Sequence, residues 1–290
     1  MRIEMIAAVV FLLASAGASV AESSPTGGRI LATSGATLIE GGGGGGVVPW
    51  AVIAGYGERD QWGATASATV VDTDDYRLNS AAVAFGWNNR VEVSIAKQRF
   101  ELPTLASALS LPTDRFRQDI VGVKVRLTGD LIYTDWPQIS LGVQHKKQRD
   151  FLVPSLVGAR DDSDVDVYLA ASKLFLGGVG ARNVLLNGTL RSTRANQTGL
   201  LGFGGDAKSG RSLVAEITAA VLLDRHWAIG YEFRQKPDNL GFAREDDWQD
   251  LFVAWFPNKH VALVAAYADL GSIATLDSQA GWYLSLQVSL

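Results

Sequence analysis

Hydrophobic and polar residues alternate with a period of two through most of the chain, and the pattern is cleanest at its C-terminus. In Gly281-Trp-Tyr-Leu-Ser-Leu-Gln-Val-Ser-Leu290, residues Trp282, Leu284, Leu286, Val288 and Leu290 share one face, and Tyr283, Ser285, Gln287 and Ser289 the other. Successive side chains of a strand point to opposite faces, so this ribbon has one face for hydrocarbon and one for a polar interior. Because the chain ends on a hydrophobic residue within the pattern, the segment is expected to pair on both sides, as the closing strand of a barrel does. Gly281, Trp282, Leu284, Leu286, Val288 and Leu290 are then the C-terminal pattern that barrel-assembly machinery would read.

The same alternation places strands at about 29–40, 47–58, 61–72, 76–88, 90–101, 118–129 and 137–149. It continues at about 164–176, 182–194, 212–224, 226–237, 248–257, 260–270 and 281–290. The expected fold is all-β: a transmembrane, antiparallel up-and-down barrel of about fourteen strands, with about twelve as the alternative count. Connections fall into two alternating populations. Short ones contain Arg59-Asp60, Asn88-Asn89, Asp224-Arg225 and Asn258-Lys259, whereas longer ones cover 102–117, 150–163, 195–211, 238–247 and 271–280. Short periplasmic turns and long extracellular loops produce that alternation when both termini lie in the periplasm. Parity then makes 29–40 a spanning strand despite its poor alternation, and Gly41 to Gly46 the first outer loop.

Ahead of the barrel, Met1-Arg-Ile-Glu-Met, an apolar run from Ile6 to Ala14 and Ser19-Val20-Ala21 have the layout of a cleavable secretory signal. Residues 1–21 are thus expected to be a signal peptide, 22–28 a short periplasmic segment and 29–290 the barrel. No later apolar stretch is long enough for a spanning helix, although the composition is 47% hydrophobic, so the apolar residues are distributed for strands. These features predict export through the periplasm and integration into a bacterial outer membrane. Absence of cysteine excludes disulfides and thiolate metal sites. A net charge of −4 without a large basic patch argues against nucleic acid as a partner.

Assigning the more apolar face of each strand to lipid sorts the charges. In 118–129, Val121, Val123, Val125 and Leu127 face out and Lys124 and Arg126 face in. In 226–237, Trp227, Ile229, Tyr231 and Phe233 face out and Glu232, Arg234 and Lys236 face in. The same rule turns Glu92, Gln98, Arg191, Glu216 and Gln287 inward, because a charge facing lipid at mid-bilayer costs about 2–4 kcal/mol. The strand 164–176 is ambiguous, since Lys173 shares a face with Val165, Val167 and Leu169. Two readings of the inward set stand open: the charges neutralise one another and fill the interior, or they line a constriction that selects a solute.

Trp50, Trp87, Trp227 and Trp255 are expected at the membrane interfaces. Between Pro103 and Pro112, the spacing of Leu105, Ala108, Leu109 and Leu111 suits one or two helical turns, either folded over the barrel mouth or resting in the lipopolysaccharide sugar layer. Catalytic chemistry has little support. His145, His226 and His260 are scattered, and Ser140 lies on the opposite strand face from His145. The glycines at 41–46 precede no Lys-Ser/Thr, so they form no phosphate loop. Asp161, Asp162, Asp164 and Asp166, with Glu245, Asp246 and Asp247, read as solvated acidic outer loops whose spacing does not match an EF-hand. No cofactor and no metal is expected.

Three loop stretches are more distinctive: Arg194-Ala-Asn-Gln-Thr-Gly-Leu-Leu-Gly-Phe-Gly-Gly-Asp206, Lys236-Pro-Asp-Asn-Leu-Gly-Phe-Ala-Arg-Glu-Asp-Asp-Trp248 and Val253-Ala-Trp-Phe-Pro-Asn-Lys-His260. With Tyr267-Ala-Asp-Leu-Gly-Ser-Ile273 they resemble the proteobacterial domain-of-unknown-function family 3034, from about Gly28 to Leu290. The resemblance implies an outer-membrane protein of uncharacterised role and supplies no catalytic or binding residues. Physically, Asn196, Gly204, Asp206, Asn239, Arg244, Glu245 and Asp247 fall in predicted outer loops, and two of these loops are expected to pack together, with Arg244 pairing to Asp206 or a neighbouring acid. The favoured function is a pore or transporter for a small solute with a mixed-charge lumen. The alternatives are a non-conducting barrel whose extracellular loops do the work and, as a minor case, an outer-membrane hydrolase. Outer-membrane lipid and lipopolysaccharide, the barrel-assembly machinery and a small solute are the expected partners.

Overall fold

A computed structural model describes residues 27–290, so the expected signal at 1–21 and all but the end of the 22–28 segment lie outside the described residues. Two short strands, β1 (Ala36–Thr37) and β2 (Gly43–Gly44), pair with each other and not with the barrel strands, and Gly44 also bridges to Pro49. The remaining strands form a closed antiparallel barrel: β3 (Trp62–Thr73), β4 (Arg77–Trp87), β5 (Val91–Glu101), β6 (Arg115–Thr128), β7 (Gln138–Gln148), β8 (Ser163–Val179), β9 (Arg182–Thr193), β10 (Ser212–Leu222), β11 (Trp227–Arg234), β12 (Trp248–Trp255), β13 (Val261–Asp269) and β14 (Ala280–Ser289). Each strand pairs with its sequence neighbours, and β14 closes on β3 through a register running from Gly281 opposite Thr73 to Ser289 opposite Thr65. Leu290 extends that closure by exchanging backbone hydrogen bonds with Ala64.

The barrel therefore has twelve strands, which corrects the count of about fourteen and agrees with the alternative. Segments 29–40 and 47–58 do not span. They run inside the barrel, and the glycine run at 41–46, expected as an outer loop, lies there with them. Dropping two strands leaves parity intact, which is why the loop-length argument could not detect the error. The physical sign was in the residues: Val47, Val48, Ala51, Val52 and Ile53 are all almost fully buried, because a segment enclosed by the barrel has no solvent or lipid face to alternate toward. Pro49 in the same run also disfavours a central strand.

Short turns, the longer 129–137 connection and the C-terminus share one end of the barrel, here the turn end. Asn88 and Asn89, both at positive φ, make one of these turns, in the conformation that matches the twist of paired strands. Longer connections gather at the opposite, loop end. Outward positions form an apolar belt that includes Val83, Ile95, Val121, Val123, Leu169, Leu190, Ile217, Leu251 and Leu284, as acyl chains require. Trp87, Trp227 and Trp255 are exposed near the turn end, joined by Trp62, and Trp227 stacks on Trp255 with centroids 5.7 Å apart. Trp50 is corrected: it is buried inside the barrel, where its indole N–H donates to Thr218 at 2.9 Å. Lys173 does share the outer face of β8, and its ammonium reaches the carbonyls of Ile132 and Thr134 beside the strand end, keeping the charge out of the apolar belt.

Candidate functional site

Residues 29–58 rise from the turn end, reverse near Gly41 and Gly42, and descend to the turn before β3. Both glycines have positive φ, which this reversal needs. At the foot of the insert, Arg29 donates to the carbonyls of Ile53 (2.6 Å) and Gly55 (2.9 Å), tying the ascending leg to the descending one. Small wall residues make room for it. Gly86 faces the insert so closely that a Cβ would meet the Ala54 carbonyl at 2.3 Å, and Ala82, Ala84 and Ala96 are buried beside it.

Glu40 is the insert's charged centre. Its carboxylate lies 2.5 Å from Lys146 Nζ, 2.9 Å from Arg234 Nη2 and 3.4 Å from Arg191 Nη1. These cations come from β7, β11 and β9, so one carboxylate draws three separated strands onto the insert. Acids of the wall complete the network: Asp166 stands 2.8 Å from Lys146, and Glu216 stands 2.5 Å from Arg191. Gln144 adds an amide oxygen 2.8 Å from Arg191.

Elsewhere the wall binds the insert through its backbone, which does not depend on the insert's side chains. Lys124 donates to the carbonyls of Gly43 and Val52 at 2.7 Å each, and pairs with Glu92 at 3.1 Å. Glu92 in turn accepts from the amides of Gly43 and Ala54. Glu232 accepts from Gly46 and Val47 at 2.8 Å, while Arg234 donates to the Val47 carbonyl. Gln98 donates to the Ile39 carbonyl, and one insert side chain adds to these backbone contacts: the Thr37 hydroxyl donates to Gln287.

Of the residues expected to face inward, Glu92, Gln98, Lys124, Arg191, Glu216, Glu232, Arg234 and Gln287 are buried in this interface. Arg126 is half-buried and stays near the turn end, 2.9 Å from Asp130. Lys236 lies beyond β11, in the loop layer. Sequence reasoning missed Glu40, Lys146, Gln144 and Asp166, the last placed among solvated loop acids and found buried in β8. Period two alone would have turned Lys146 inward with Gln144 and Gln148; the adjacent outward Lys147 obscured it.

Above Glu40 the loop 194–211 dips into the mouth. Gln118 and Lys146 donate to the Thr198 carbonyl, and Leu200 and Phe203 are almost fully buried. Loop 235–247 packs on it. Asn239 donates to Asn196, the Gly241 amide donates to Asp206 at 2.8 Å, and Glu245 accepts from the Gln197 amide at 2.9 Å. Asn196 also reaches the Gly204 carbonyl, and Asp247 accepts from the Lys236 amide. The expected Arg244 to Asp206 pair does not form: Arg244 is exposed and approaches Asp246 at 3.7 Å, because Asp206 is already engaged by the neighbouring loop's backbone. Burial pushes the Glu245 carboxyl up to about 7 and, in the adjoining Lys236, holds the ammonium down to about 8. A short helix α1 (Pro103–Ala108) completes the cover, packing Leu105 near Phe116, Val153, Leu201 and Ile273. The remaining loop acids are engaged by cations: Asp161 by Arg194, Asp162 by Lys147 and Asp164 by Arg211.

The model of the family described as "Protein of unknown function (DUF3034)" matches residues 33–287. None of the curated proteins matches the chain. Among solved structures, the chain is similar to the KdgM porin, with 9% identity, a TM-score of 0.48, and coverage of 78% of this chain and 99% of that one. It is similar to the NanC porin, with 10% identity, a TM-score of 0.47, and coverage of 78% and 98%. The outer membrane protein Omp33 of Acinetobacter baumannii gives 9% identity, a TM-score of 0.45, and coverage of 79% and 98%. These likenesses are weak, and the barrel rests on the strand register described above.

Proposed function

The chain belongs to the DUF3034 family, whose description assigns no activity, and we propose from its own geometry that it is a gated outer-membrane channel for a small polar solute, held closed by residues 29–58. The observation that carries the reading is the character of the wall beneath the insert. Glu92, Lys124, Lys146, Asp166, Arg191, Glu216, Glu232 and Arg234 are all buried against it. A filling that served stability alone would be cheaper in apolar side chains, since well-packed hydrophobic residues of similar volume often match or exceed the stability of buried ion pairs. Charges on the bore have a use when water and solute replace the insert. They then line a passage of mixed sign, and the apolar belt outside keeps the barrel in lipid.

Planar-bilayer recordings test this. The full mature chain should be nearly silent, and the variant lacking 29–58 should give steady current whose ion selectivity changes in Lys124→Glu. A deletion variant that folds, judged by heat-modifiable gel mobility, and stays silent refutes the channel. That outcome would favour a surface protein worked by its loops, a reading supported by the detailed packing of 194–211 on 235–247.

A further inference from the structure

The outer face of the barrel is electrically lopsided. Strands β11 to β14 and β3 carry no lysine or arginine on their outward positions, and their loop ends show Asp72, Gln249 and Asp269 instead. On the opposite flank, β5, β6 and the residue that follows β7 present Arg99, Arg117 and Arg149 in a single row. Arg99 is the register partner of Arg117, and the Arg149 amide donates to the Arg117 carbonyl. One step toward mid-barrel, Lys97 and Lys147 flank Asp119 in the next outward row. Below that the surface turns apolar at Ile95 and Val121.

Adjacent strands are about 4.8 Å apart, so three guanidinium groups share roughly 10 Å of surface. Like charges opposite one another on a sheet are destabilising. Local acids relieve part of this: Asp150 lies 2.6 Å from Arg117, Asp119 lies 2.6 Å from Arg149, and Glu101 lies 3.2 Å from Arg99. All are at least partly solvent-exposed pairs, which contribute little and exchange readily. Lys97 has no ion pair among the described residues, so a cation remains to be matched.

We propose that this row is a binding site for the phosphorylated headgroup of an outer-leaflet lipid, the lipid A portion of lipopolysaccharide. Arginine forks match phosphate oxygens two at a time, which explains arginine rather than lysine in the upper row. The lipid rather than free phosphate is indicated by the apolar strip directly beneath, where acyl chains would lie on Ile95 and Val121. The lysines of the second row sit at the junction between the two. The inference rests on the outer-membrane reading.

Native mass spectrometry of the full chain in detergent tests it with three probes: bisphosphorylated lipid A, dephosphorylated lipid A and inorganic phosphate. Expected are an adduct with bisphosphorylated lipid A that the dephosphorylated form does not give, and at least about tenfold weaker binding in R99Q/R117Q/R149Q. Asp269→Asn on the far flank should leave binding unchanged. Equal binding of the two lipids, equal binding by the triple variant, or inorganic phosphate displacing the lipid at its own concentration would overturn the site. If the triple variant lacks heat-modifiable mobility, Lys97→Gln, which disturbs no ion pair, replaces it; unchanged affinity there also overturns the site. A chain that fails to fractionate with the outer membrane sinks the broader reading, whereas one that inserts but takes up no lipid A sinks only this site.

Discussion

Glu40 of the inserted segment and Lys146 of the wall are fully buried and 2.5 Å apart, although 106 residues separate them in sequence. Lys146, Arg191 and Arg234 converge on this one carboxylate. Removing one partner of a buried pair leaves an uncompensated charge and costs about 3–5 kcal/mol. Glu40→Ala should therefore weaken retention of the insert and produce channel openings in bilayers where the parent is silent. Glu40→Gln keeps a hydrogen-bond acceptor and should fall between the two. A Glu40→Ala barrel that is as silent and as protease-resistant at 29–58 as the parent would show that the latch lies elsewhere.

Gly45 tests the fit of the insert against the Glu232 carboxylate, away from the Glu40 network. A Cβ there would sit 1.8 Å from Glu232 Oε1, whereas at Gly188 it would meet nothing within 4 Å. Overpacking of this kind costs about 1–3 kcal/mol. Gly45→Ala should lower the unfolding midpoint and expose the insert to protease, and Gly188→Ala should change neither. Equal midpoints for the two variants would mean that the insert is held more loosely than its hydrogen bonds indicate.

The insert and Glu40 also mark where sequence reasoning stopped. The faces of β5, β6, β11 and β14 were legible because lipid and interior impose opposite demands on alternate side chains, and Lys124 and Glu232 followed from that rule. The insert was illegible because enclosure by the barrel makes the same demand on every side. Val47 to Ile53 then resembles a poor strand, and Glu40 resembles a strand end. Its partners lie on strands far along the chain, and no local period encodes that. The loop motifs were recognisable as a family signature, but their pairing was not: Arg244 was matched to Asp206 by charge, and the carboxylate bonds instead to the Gly241 amide, a group every residue but proline carries.

Loop packing should depend on pH through Glu245. Its carboxyl titrates at about 7 when buried, above its ordinary value near 4.5, because burial disfavours the charged form. Between those values the folded loops hold a proton that the unfolded chain has released, so stability falls as pH rises from about 4.5 to about 7. Lys236 works in the other direction at higher pH: its folded value of about 8 lies below the ordinary 10.5, so stability climbs again as pH rises through that interval. Hydrogen exchange in 194–211 should therefore be fastest, after correction for intrinsic rates, between about pH 7 and 8. Glu245→Gln should abolish the acid limb and start the alkaline limb at lower pH, since the Glu245 carboxylate holds the Lys236 value up. A flat corrected profile in the parent would refute the assignment.

On the proposed channel reading, the α1 cover and the insert lie in series along the bore, which sets an expectation for their removal singly and together. Leu105, Leu109 and Leu111 line the apolar seam beneath the cover with Phe116, Val153 and Leu201; Leu105 is buried whereas Leu109 stays half exposed, so Leu105 contributes most, about 1.5–3 kcal/mol for a fully buried leucine. Deleting 104–111 should loosen the mouth without producing current, because residues 29–58 still fill the passage and the narrowest element governs flow. Deleting 29–58 alone should give current limited by the cover, and the double deletion should conduct more than either. Single-channel recordings of the three variants distinguish this order from its converse. Full conductance after loss of 104–111 alone would mean that the insert is no barrier, and the gate would have to be reassigned to the loops.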